Sequence, residues 1–112
     1  MRRFEIYLAK LPSNNGHSQS GTRPVVVISN DAANTYSPLV SVIPLTTRNK
    51  KPLPTHVALT ATGLHKPSTA LCENVMPLDK QFMIKRIGYV WDTADRAKLE
   101  RAVAVQLGLA AA

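Results

Sequence analysis

Apolar positions fall into short runs separated by polar, Gly- and Pro-containing stretches, and only the last stretch changes period. The strongest run, Arg23 to Ser29, carries Val25-Val26-Val27-Ile28 between Gly21 and Pro24 in front and Asn30-Asp31 behind. A β-branched run this short and continuous predicts a strand buried on both faces. Leu39 to Leu45 is a second strand of that kind, ending in Pro44-Leu45-Thr46-Thr47-Arg48. Phe4 to Leu8 alternates, with Phe4, Ile6 and Leu8 inward. Pro12 to Gly21 is a polar surface loop, and Asn30 to Pro38 is turn-rich with a helical turn at Asp31–Asn34. Thr55–Leu59, Ser68–Val75 and Arg86–Val90 complete the strands, with Pro77 interrupting before Leu78-Asp79-Lys80.

From Asp92 the period becomes helical. Asp92 is a good N-cap with Asp95 three residues on, and Leu99, Val103 and Leu107 recur with Ala102 alongside as one apolar stripe. Asp95, Arg96, Lys98, Glu100 and Arg101 fall on the other side, and Gly108 is a natural stop. Many short strands and one terminal amphipathic helix predict a mainly β, α+β fold: a small barrel covered by that helix.

Composition narrows the class. At 112 residues and 45% hydrophobic content, the expectation is one globular domain spanning 1–112, not a disordered chain. The single cysteine, Cys72, excludes an intrachain disulfide and suits a reducing compartment. No apolar run approaches the roughly 18–20 residues that span a bilayer, and Met1-Arg2-Arg3 is followed by Glu5 instead of a signal-peptide core. A soluble cytoplasmic protein is expected. The 14 Lys and Arg against 7 Asp and Glu give a formal charge of +7, which implies a nucleic acid or an acidic protein as partner. A basic surface kept for solubility is the alternative. Arg48-Asn49-Lys50-Lys51 sets three cations in one loop after Thr46, a phosphate track if Thr46 marks a site.

Few residues carry chemistry by type and place. Arg23 stands where a polar loop enters the buried strand; a guanidinium there caps the strand end or faces a cleft holding an anion. His17 has the intrinsic pKa for proton transfer near neutrality, or is a loop residue without a role. His17, His56 and His65 with Cys72 show no zinc spacing, so neither metal nor cofactor is expected. His56 reads as a packed, hydrogen-bonded strand residue and Cys72 as core. Tyr89 and Trp91 read as packing against the helix, with base stacking as the alternative.

The segment Gly16-His17-Ser18-Gln19-Ser20-Gly21-Thr22-Arg23-Pro24-Val25-Val26-Val27-Ile28-Ser29-Asn30-Asp31 resembles the signature loop and strand of the MazF/PemK/Kid toxins. Ser37-Pro38, Pro44-Leu45-Thr46, Leu53-Pro54-Thr55-His56-Val57, Leu71-Cys72-Glu73 and Leu78-Asp79-Lys80 follow in matching order over nearly the whole chain. The resemblance implies an SH3-like barrel of the CcdB/Kid/MazF type. It also implies a homodimeric, metal-independent endoribonuclease that cuts single-stranded RNA and is restrained by an acidic antitoxin. Cleavage of that kind proceeds by attack of the ribose 2′-hydroxyl on phosphorus, and needs a proton acceptor, a proton donor and donors for the phosphorane. Arg23 matches the family's phosphate-facing Arg, Thr46 its catalytic Thr, His17 a functional His of the Kid-like branch, and Glu73 that branch's acid. Gln19, Thr47, Arg48, Lys50, Lys51 and Lys80 are the implied RNA contacts. Three positions depart from the pattern: Phe4 replaces Gly, Ser18 replaces Glu, and Leu71 replaces an Arg. A weakened barrel that binds RNA or antitoxin without cutting is therefore one alternative. A CcdB-like gyrase poison is another, disfavoured by the ending Leu107-Gly108-Leu109-Ala110-Ala111-Ala112, which has no terminal Trp.

Overall fold

Val25 and Val26 are neighbours in sequence and lie in different cores. This is what a strand buried on both faces must do, and it sets the architecture. The computed structural model describes residues 1–12, 21–47 and 52–112. Its strands are β1 (Glu5–Leu11), β2 (Gly21–Val27), β3 (Leu39–Thr46), β4 (His56–Leu59), β5 (Ser68–Leu71), β6 (Met76–Asp79) and β7 (Met83–Tyr89). The helices are α1 (Asp31–Tyr36) and α2 (Thr93–Gln106). The sheet runs β4-β5-β3-β2-β1-β7, with β6 also on β3, and its pairings are antiparallel. Ile6, Val26, Ile43, Leu45, Val57 and Ala70 line one core with Leu99 and Ala102 of α2; Ala9, Leu11, Val25, Val40, Val42 and Leu78 form the other.

The α+β class holds, but the sheet is not a closed barrel. Among the described residues no ladder joins β4 to β7. The gap is bridged instead by two backbone bonds, Tyr89 N–H to Thr62 O at 3.0 Å and Trp91 N–H to Ala61 O at 3.1 Å. Gly88 permits this approach, because a Cβ there would sit 2.4 Å from the Thr62 carbonyl oxygen.

Several local expectations change. The Ser68–Val75 strand stops at Leu71, where a 3-10 turn takes Cys72–Asn74. Pro77 does not interrupt: it lies within β6, opposite Ser41 on a strand paired on one side, where a missing N–H is tolerated. Asp92 does cap α2, accepting from the Ala94 and Asp95 amides. Asp95 is not on the solvent face but 2% exposed, accepting from the Thr60 amide at 2.8 Å and the Thr60 hydroxyl at 2.9 Å. That carboxylate ties the helix to the end of β4. Leu107 lies past the last helical residue and is exposed.

Phe4 has φ 72°, a left-handed conformation that costs a non-Gly residue roughly 1–2 kcal/mol and that the Gly of the resembling family would adopt freely. Its backbone is fixed by bonds to Val27 and Val90, and its buried ring has the Arg3 and Arg96 guanidinium carbons 4.7 Å and 5.4 Å from its centroid. Burial and these two contacts offset the backbone cost.

Gly88→Ala should lower stability by about 1–3 kcal/mol, since the new methyl meets backbone and not a pliable side chain. Thermal unfolding checks this; an unchanged Tm would mean that the β7–Thr62 contact relaxes freely.

Candidate active site

Pro44 decides where the β2–β3 ladder ends. The register pairs Val27 with Val42, Val26 with Ile43 and Val25 with Pro44, and proline brings no N–H to a ladder. Beyond it β3 turns to its other neighbour, pairing Leu45 with Ala70 and Thr46 with Thr69 on β5. Continued by two positions past Val25 and Pro44, the β2–β3 register sets Arg23 opposite Thr46. The continued register thus brings the two residues level just past the last β2–β3 pair. Strand alternation puts both on the side of Val25 and Val42. Thr46 is 4% exposed, Arg23 is half-buried and opposite Ala9 of β1, and both are engaged in interactions within the fold.

Glu73 lies four residues beyond Thr69, in the 3-10 turn. Its carboxylate accepts from the Thr55 hydroxyl at 3.1 Å and meets His56 Nε2 at 2.8 Å. The expectation of a packed, hydrogen-bonded His56 holds. Thr47 is exposed at the end of β3. Lys80 stands at the opposite end of that strand: its amide bonds Pro38 O at 3.0 Å, next to the Leu39–Asp79 pair. His17, Gln19, Arg48, Lys50 and Lys51 lie outside the described residues.

A family model for the PemK-like, MazF-like toxin of type II toxin–antitoxin systems matches residues 2–107. The chain belongs to that family. It is 40% identical over 112 residues to Endoribonuclease MazF of Staphylococcus saprophyticus, a match covering 97% of this chain and 92% of that protein. A mycobacterial endoribonuclease, solved in complex with its cognate antitoxin, is 26% identical and has a TM-score of 0.80 over 98% of this chain and 97% of that one. MazF of Deinococcus radiodurans, 24% identical, has a TM-score of 0.84 over 96% of each chain, a likeness of fold.

In this MazF-like toxin, partners outweigh burial at both Glu73 and Glu5. Burial raises the Glu73 pKa, but the bonds from His56, the backbone and Thr55, with the charge of His56, outweigh it and hold the group below its ordinary range. Glu73 is thus ionised at neutral pH. Cys72 beside it is pushed up to about 12 by burial and by the Glu73 charge, which leaves the thiol inert as a nucleophile.

Glu5 is a buried charged residue with no functional assignment from sequence. It is 5% exposed and accepts from the Arg2 amide at 2.6 Å and Arg86 Nη1 at 2.9 Å. Burial raises its pKa, but these two bonds and the charges of Arg86 and the N-terminus bring it below the usual value. The available signal was its parity on β1, shared with Tyr7, Ala9 and Leu11. A carboxylate on an otherwise apolar face needs a cation.

Because the Glu73 pKa is lowered in the folded protein, its contribution to stability is present above its unfolded pKa and is lost as pH falls through the folded value. Glu73→Gln should therefore lower Tm at neutral pH, with the difference from wild type closing below about pH 4. A difference that stayed constant from neutral pH to about pH 3 would mean that the His56–Glu73 pair does not hold the charge.

Proposed function

We propose that this chain is an endoribonuclease toxin of a toxin–antitoxin pair that cuts single-stranded RNA without a metal, by attack of the ribose 2′-hydroxyl on the adjacent phosphorus. The observation that carries the reading is the 40% identity to a named endoribonuclease, supported by a β2–β3 register that, continued past its last pair, sets Arg23 level with Thr46. Arg23 offers a planar fork matched to two phosphate oxygens, and its fixed charge stabilises the phosphorane. With a pKa above roughly 12 a guanidinium is a poor proton carrier, so its role is electrostatic. The Thr46 hydroxyl bonds a phosphate oxygen or orients the 2′-hydroxyl. Proton transfer falls to His17, with Glu73 as the alternative. An ionised Glu73 can accept a proton but has none to give at neutral pH.

Gln19, Thr47, Arg48, Lys50, Lys51 and Lys80 are proposed as the RNA track, supported by the +7 charge and the loop cations. An acidic, partly disordered antitoxin competes for the same basic surface, a reading supported by the mycobacterial relative solved with its cognate antitoxin. We further assign residues 1–112 to one toxin domain acting as a homodimer in the cytoplasm. The dimer reading rests on the small size of the fold relative to an RNA groove. No described helix is long and apolar enough to cross a membrane. The match to the MazF-like toxins supports the ribonuclease reading over the gyrase-poison alternative.

Incubation with a long single-stranded RNA should yield fragments with 5′-hydroxyl ends, equally in EDTA and in Mg²⁺. Arg23→Ala should slow cleavage on the order of 10²-fold or more, the loss typical of removing a preorganised charge donor. Equal cleavage by wild type and Arg23→Ala would sink the assignment.

A further inference from the structure

At the far end of β1 from Arg23 lies a cavity of about 610 Å³ that the proposed cleavage chemistry does not use. Arg2, Glu5, Arg86, Tyr89, Trp91 and Arg96 line it, together with Thr62 and Gly88. Trp91 does not pack against the helix as its sequence position suggested. It is 64% exposed, and its ring meets Tyr89 edge-on with centroids 4.8 Å apart. Tyr89 is also held by Arg96, whose guanidinium carbon lies 4.9 Å from the Tyr89 centroid while its Nε donates to Val90 O at 2.8 Å. The aromatic pair is therefore braced and one large ring is open to solvent. Arg86 is positioned by its 2.9 Å bond to the buried Glu5, while its own side chain remains 64% exposed. Arg2 is exposed beside it.

An open indole next to positioned guanidiniums is the chemistry that takes a base by stacking and its phosphate by charge. The geometry points to an accessory site for one unpaired nucleotide of a single-stranded RNA, its base on Trp91 and its phosphate on Arg86 and Arg2. The site lies on the chain that carries Arg23. Glu5 is four residues from Ala9, the partner of Arg23, or about 13 Å along β1. A strand held at Arg23 can thus extend to Trp91, which lengthens the footprint without reading sequence, since every base has a π-face. A second copy of this chain is the less favoured occupant, because a two-fold contact through this face would set Arg2, Arg86 and Arg96 near their own counterparts. The inference rests on the RNA-binding reading above, and its test is independent of cleavage.

Trp91 is the single Trp of the chain, so fluorescence excited selectively at tryptophan, away from the three tyrosines, reports on this cavity. The probe is a short oligouridylate with 2′-O-methyl groups, which lacks the attacking hydroxyl and stays intact. Its titration should quench Trp91 saturably, and the midpoint should rise with salt. Trp91→Ala, a replacement at the surface, should weaken binding of the labelled oligonucleotide roughly 5- to 100-fold by anisotropy. Arg2→Glu keeps the fluorophore and should weaken the quench. Binding without quench, with Trp91→Ala at wild-type affinity, overturns the site. So does a change in Trp91 emission that follows protein concentration without RNA, which would give the face to self-association. If unmodified RNA is not cut but quench and variant losses persist, the nuclease reading fails and the site stands. Cleavage with a silent Trp91 gives the converse.

Discussion

Three residue pairs between β2 and β3 fix most of what matters in this molecule. With Val27 on Val42, Val26 on Ile43 and Val25 on Pro44, alternate side chains enter opposite cores, and the same register continued by two positions sets Arg23 level with Thr46. A slip of one residue would turn Val25 and Val26 into each other's cores and swing Arg23 to the other face. Burial on both sides therefore specifies the register far more strongly than a half-exposed strand would. Pro44 adds the second constraint. It ends one ladder and hands β3 to β5, so the site forms where the sheet changes partner.

Around this frame, carboxylates act as ties, two of them buried and Glu73 partly so. Glu5 holds Arg86 and the Arg2 amide, Glu73 holds His56 and Thr55, and Asp95 holds Thr60. Glu5 adds a side-chain tie across the β1–β7 pair and Glu73 ties the turn after β5 to the start of β4, whereas Asp95 joins α2 to a segment that no ladder connects to it, and a carboxylate taken out of water is retained only with such partners. With so few acids in a basic chain, committing three of them to internal ties leaves the exposed surface more positive still.

The hydrophobic runs foretold β2, β3 and the terminal helix, because continuous β-branched segments and a helical stripe depend on local pattern alone. They did not foretell that the sheet stays open. The gap between β4 and β7 is spanned instead by Ala61 and Thr62, a distant contact that depends on Gly88 having no side chain. Asp95 and Trp91 went astray for a related reason: the helical wheel assigned one to solvent, and chain proximity assigned the other to the helix. Tertiary partners reversed both, Thr60 for Asp95 and the Tyr89 edge for Trp91. At the candidate site, Arg23 and Thr46 were legible as residues, but setting them level needs the β2–β3 register, continued past its last pair. Glu73 was legible as a carboxylate, but its engagement with His56 and Thr55 needed the fold.

The most direct test of the Arg23–Thr46 pair is a double-mutant cycle on cleavage of one defined RNA, using Arg23→Ala, Thr46→Ala and the double variant under single-turnover conditions. Two groups acting on the same phosphorane as a unit are strongly non-additive. The double variant should lose little more than the worse single variant. If the two losses simply multiply, Arg23 and Thr46 act independently, and the β2–β3 register does not build the catalytic centre.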